Sequence, residues 1–91
     1  MISKLYTLPN CHTCQDVGEY LQERGIQYEE VNLSKQQGLD ELRSLRKSYQ
    51  GNIERDGRGI ILPILVQGNN GGIEKLVQGE EIISLFKLNP G

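Results

Sequence analysis

Ile2-Ser3-Lys4-Leu5-Tyr6-Thr7-Leu8-Pro9-Asn10-Cys11-His12-Thr13-Cys14 stands near the start of the chain, and its last four residues hold both cysteines and the single histidine of a 91-residue sequence. Residues 2–8 read as a short strand, which Pro9-Asn10 breaks directly before Cys11. Asp16 to Arg24 reads as a helix, so Cys11 falls at or just before a helix N-terminus. Unpaired backbone N–H groups and the positive end of the helix dipole favour a thiolate there over a thiol. Cys14, one turn further on, is expected to be more buried. Two thiols separated by two residues close a small disulfide ring at little entropic cost, and the spacing suits thiol exchange through a mixed disulfide. The asymmetry gives Cys11 the role of attacking sulfur and Cys14 that of resolving sulfur.

Composition narrows the setting of that pair. The length fits one small domain over residues 1–91. A net charge of −2, with Lys and Arg scattered among Asp and Glu, gives no basic patch for nucleic acid or an anionic membrane. The longest apolar run, Ile60 to Val66, contains Pro63 and is far shorter than a membrane span. The first residues lack the apolar core of a secretory signal, which places the chain in the cytoplasm. In a reducing compartment a lone cysteine pair reads as catalytic or metal-binding rather than as a structural staple. Zinc normally takes four ligands, and Cys11, His12 and Cys14 offer at most three. A cluster shared between two chains stays open as an alternative.

Outward from the pair, the first strand carries Ile2, Leu5, Tyr6 and Leu8 without strict alternation, the pattern of a strand buried on both faces. The helix places Cys14, Val17, Gly18 and Leu21 on one stripe, and Gly25 ends it. A second strand from about Gln27 to Leu33 carries Glu29-Glu30, acids suited to a sheet edge. The clearest helical period follows, with Leu39, Leu42, Leu45 and Tyr49 on one face and charges on the other. Residues 52–59 read as an exposed loop. Ile60 to Val66 is a strand in which Pro63 must sit at the start or at a bulge. The turn-rich Gln67 to Gly72 joins it to Ile73–Val77 as a hairpin. A last helix spans about Glu80 to Leu88. The order is βαβαββα: an α/β domain with helices on both faces of a four-stranded mixed sheet.

With a CxxC at the first strand-to-helix junction, Leu62-Pro63 before a later strand and Gly79-Glu80 at the turn into the last helix, the whole chain resembles the short form of the thioredoxin fold. It is most similar to the glutaredoxins and glutaredoxin-like redoxins. The resemblance implies a dithiol–disulfide oxidoreductase, an electron carrier acting through Cys11 and Cys14 on protein or small-molecule disulfides. It further implies that Leu62-Pro63 is cis and faces the disulfide, and that Tyr6, His12, Thr13, Leu62, Pro63, Gly79 and Glu80 contribute to substrate binding. No resident metal or organic cofactor is expected. The partners implied are a disulfide-bearing protein and either glutathione or a flavoprotein reductase as electron source, with the chain acting as a monomer. An iron-sulfur carrier or a redox-sensing binding module on the same fold is the alternative.

Three positions differ from the usual glutaredoxin pattern. His12-Thr13 stands where Pro-Tyr is common, Leu8 where a lysine is usual, and Gly79-Glu80-Glu81 where Gly, a small residue or Cys, and then Asp are usual. The last two fall where glutathione is normally held. Glutathione carries two carboxylates, and a site for it normally supplies a cation and helix-terminal N–H groups. The expectation is therefore weak glutathione use and reduction by a thioredoxin-reductase-type flavoprotein.

Overall fold

Leu5 and Tyr6 are successive residues with opposite destinations in the computed structural model of this protein, which describes residues 2–49, 51, 53–57, 59–69 and 72–88. They lie in β1 (Ile2–Thr7), an inner strand of a four-stranded sheet. β1 pairs in parallel with β2 (Glu29–Asn32) and antiparallel with β5 (Ile64–Asn69), which pairs antiparallel with β6 (Gly72–Gln78). The sheet order is β2-β1-β5-β6, so Glu29 and Glu30 are on an edge strand, as their charge requires. Leu5 joins Val17, Leu21, Leu65 and Ile82 in the core beneath α1 (His12–Glu23) and α3 (Glu81–Leu88). Tyr6 joins Val31, Leu33, Leu45, Ile64 and Val66 beneath α2 (Gln36–Ser48). Both faces of β1 are thus dry, which is why its apolar residues do not alternate.

The first helix begins at His12, four residues before the expected Asp16. Cys11 itself is the N-cap: its backbone is extended and its sulfur accepts the Cys14 N–H. Asp16 accordingly lies in the second turn and not the first. The far end closes as a Schellman motif, in which Gly25 at φ 70° donates to the Gln22 carbonyl and Ile26 N–H reaches Leu21. Between β2 and α2, Asn32 Oδ1 accepts from both the N–H and the hydroxyl of Ser34. Gly38 brings α2 against this turn: a Cβ there would lie 2.0 Å from the Asn32 carbonyl oxygen.

Two expectations change in the second half. Residues 52–59 are not all loop, because Arg55–Asp56 (β3) and Gly59–Ile60 (β4) pair antiparallel as a small separate hairpin. The strand expected over Ile60–Val66 starts at Ile64 and runs to Asn69, with a bend at Leu62 and with Pro63 directly before β5. A proline has no N–H for the ladder, so pairing begins just past it. The expected turn at Gln67–Gly72 is accordingly much shorter, with Asn70 and Gly71 outside the described residues. The β3–β4 hairpin is too small to hold itself. Ile53 and Ile60 pack on the α2-side core, and Gln78 binds its base. The Gln78 side chain accepts from Glu54 N–H at 2.7 Å and donates to the carbonyls of Glu54 and Ile61, each at 3.0 Å.

Candidate active site

Cys11 and Cys14 are joined by a disulfide, their Cα atoms 5.1 Å apart, within the range that side chains bridge without moving the backbone. Their environments differ. Cys14 is 4% exposed and lies in the first turn of α1, on the stripe that continues into Val17 and Leu21. Cys11 is half-buried and lines a groove of about 720 Å³. The Cys14 N–H points at Cys11 Sγ from 3.1 Å. A sulfur at an N-cap accepts one of the four backbone donors that no carbonyl satisfies, and a negative sulfur accepts it more strongly.

The groove has an apolar floor and a charged rim. Leu8, Leu33, Leu39, Leu42, Ile60 and Leu62 supply the apolar surface, and Glu54, Arg55, Asp56, Glu80 and Glu81 the charges. Leu8 at 39% and Leu39 at 42% are the two large hydrophobic side chains counted as exposed among the described residues, and both line it. Leu39, which the helical period places with the core, therefore borders the groove instead. Gly79 at φ 61° turns the chain from β6 toward α3, where the left-handed backbone suits glycine. Its N–H donates to the Pro63 carbonyl at 2.8 Å, tying the two ends of this wall together.

The residues named from the sequence divide. Thr13, Leu62, Gly79 and Glu80 line the groove with Cys11. The Leu62-Pro63 bond is cis, and Pro63 is fully buried behind Leu62. His12 occupies the first helical position, exposed and outside the groove lining. Tyr6 is not at the groove: it is a core residue, 4% exposed, and its polar edge borders a separate surface depression with Lys4, Asp40 and Glu41. Burial raises the Tyr6 phenol above its ordinary value of 10.0, and a 2.9 Å hydrogen bond to Glu41 raises Lys4 above 10.5. Leu39, Leu42, Glu54 and Gln78 are groove residues that sequence reasoning missed. Gln78 carried a usable signal: it is two residues from Leu76 in one strand, and so is a polar group on a buried face.

Comparison with known proteins agrees with this geometry. The glutaredoxin family model matches residues 4–52, a span that includes the CxxC, most of β1, and α1, β2 and α2. The chain belongs to the glutaredoxin family. Its fold is that of Escherichia coli NrdH-redoxin, described as a glutaredoxin-like protein with a thioredoxin-like activity profile, at TM-score 0.66 and 21% identity over 100% of this chain and 99% of that one. The glutaredoxin grx-1 of Archaeoglobus fulgidus matches at TM-score 0.64 and 18% identity, over 98% of this chain and 86% of that one. No curated protein matches by sequence. This glutaredoxin thus has the thioredoxin-like fold, with its cysteine pair at the strand-to-helix junction. Among the described residues, no helix is long and apolar enough to cross a membrane.

Proposed function

We propose that this glutaredoxin is a dithiol–disulfide oxidoreductase in which Cys11 attacks and Cys14 resolves. One observation carries the assignment: Cys11 is the half-buried N-cap that faces the groove and accepts the Cys14 N–H, whereas Cys14 is buried. In the reduced protein, Cys11 thiolate attacks one sulfur of a substrate disulfide. A Cys11–substrate disulfide forms, and the other substrate sulfur leaves as a thiolate that takes a proton from water. Cys14 then loses its proton and attacks Cys11 Sγ. The protein disulfide closes and the second substrate thiol is released. Two electrons have passed to the substrate, and the oxidised protein is the state seen here.

Two electrons and two protons must then come from an external reductant, either one dithiol or two molecules of a monothiol. The groove rim supports a flavoprotein reductase of the thioredoxin-reductase type over glutathione. Leu8 brings no cation, and Glu80 and Glu81 occupy the turn and first residue of α3, where an anion would otherwise be favoured. Arg55 is the one cation among the described lining residues, and an exposed pair is worth only about 0–1 kcal/mol. Among the described residues, no three His, Cys, Asp or Glu side chains are grouped to hold a metal.

The test is substrate trapping. Cys14→Ser, mixed with an oxidised protein substrate, is expected to accumulate a disulfide to Cys11, and Cys11→Ser to form no adduct and lose activity. Full activity of Cys11→Ser would overturn the mechanism.

A further inference from the structure

The 54–61 segment stands out because it is built and pinned rather than left as loop. Its hairpin is only two residues deep on each side, yet three hydrogen bonds from one buried glutamine fix its base. The Ile61 N–H also donates to the Glu54 carbonyl at 3.1 Å. The segment so held supplies one wall of the groove beside Cys11, with Glu54, Arg55, Asp56, Ile60 and Ile61. Glu80 and Glu81 line the same groove. Four acids against one arginine leave this lining net negative among the described residues, while its floor is leucine and isoleucine.

We propose that the 54–61 hairpin, locked by the Gln78 side chain, is a specificity wall that selects disulfides carried on polypeptide segments with a lysine or arginine and a large apolar side chain beside the cysteine. The proposal rests on the dithiol reading above and adds to it the class of substrate. Charge complementarity sets the choice of occupant. An extended segment whose cysteine meets Cys11 would lay its apolar side chain on Leu39 and Leu42 and its cation between Glu54 and Glu80. Gln78 is a positioning residue in this scheme: it lines the groove, but its side-chain amide is engaged by Glu54 and Ile61, and it acts through the wall it holds. Each exposed ion pair multiplies affinity by only about 1.4 to 5. Two made together give a preference of about 2- to 25-fold, enough to rank substrates.

The experiment follows oxidation of the pre-reduced protein, with no reductase present. The probes are disulfide-linked dimers of three short peptides: cysteine flanked by Leu and Lys, by Leu and Glu, and by Gly and Lys. The Leu-Lys peptide is expected to react about 2- to 25-fold faster than the Leu-Glu peptide at low salt, with the gap shrinking near 1 M salt. The Gly-Lys peptide is expected to be slower than Leu-Lys. Combining Glu54→Gln, Glu80→Gln and Glu81→Gln should erase the charge preference while Glu54 N–H stays protected from hydrogen exchange. Gln78→Leu should erase the preference and that protection together. Equal rates for the Lys and Glu peptides with the wild-type protein would overturn the proposal and leave the dithiol mechanism standing. Reaction with no peptide and no small neutral disulfide would instead overturn the mechanism. If Gln78→Leu does not fold, exchange on the wild-type protein still decides the pin, since a rapidly exchanging Glu54 N–H would refute it.

Discussion

Gly38→Ala reverses the usual sign of a glycine-to-alanine change in a helix. On propensity alone, alanine stabilises a helical position by about 0.8–1 kcal/mol relative to glycine. At Gly38, in the first turn of α2, the new methyl would lie 2.0 Å from the Asn32 carbonyl oxygen, 2.7 Å from its carbon and 3.3 Å from Leu33 Cα. Cβ atoms essentially never approach heavy atoms within 3.0 Å, so the helix or the turn must withdraw by at least 1.0 Å. The obstacle is backbone, held by the two Ser34 bonds to the Asn32 side chain and by Lys35 N–H to the Asn32 carbonyl. It cannot swing aside as a side chain would. Overpacking of this kind costs about 1–3 kcal/mol, which exceeds the propensity gain over most of that range. A contact at 2.0 Å with fixed backbone belongs to the upper part of that range, about 2–3 kcal/mol, so the expected net loss is about 1–2 kcal/mol, a fall in Tm of roughly 4–16 °C for a domain of this size. Urea unfolding and a thermal melt measure it. Gly18→Ala is the control, because its Cβ meets only the Tyr28 hydroxyl at 3.3 Å, at the end of a side chain that can yield. That variant should be neutral or up to about 1 kcal/mol more stable. A Gly38→Ala protein as stable as wild type would refute the packing argument.

Alkaline pH should destabilise the protein through Tyr6 and Lys4. Both groups have folded values raised above 10.0 and 10.5, so the folded state holds its protons more tightly. Their contribution is complete below those values and is lost as pH rises through and beyond them. Tyr6→Phe should flatten the fall in urea midpoint above pH ~10, and an unchanged alkaline slope would count against burial as its cause. For the electron source, turnover of one oxidised substrate is to be compared with glutathione plus its reductase and with a thioredoxin-reductase-type flavoprotein. The flavoprotein should support the faster turnover, and efficient turnover with glutathione alone would contradict the reading of Leu8, Glu80 and Glu81.

Much of this architecture is legible in the residues because it rests on strong local patterns. Cys11-x-x-Cys14 after a broken strand, the leucine period of α2 and a proline before an apolar run each have few alternative readings. What is not legible depends on contacts between distant segments. Nothing local makes His12 helical, since the first helical turn is organised by a cysteine cap that is not among the usual capping residues. Leu39 and Leu45 share one stripe, yet Leu45 is buried and Leu39 borders the groove. Periodicity gives the face of a helix and not where the core beneath it ends. The β3–β4 hairpin looks like loop because its base is held by Gln78, 24 residues from Glu54 and 17 from Ile61. Tyr6 shows the converse: its place in the chain suggests the site, and the alternation of β1 sends it to the opposite core from Leu5.

The division of labour between the two sulfurs is tested most directly by alkylation of the fully reduced protein with limiting iodoacetamide, across a pH series, with each cysteine located by mass spectrometry. Cys11 is predicted to be modified first and already at neutral pH, with Cys14 protected until the protein unfolds. Modification of Cys14 first, or of both cysteines at equal rates, would contradict the account.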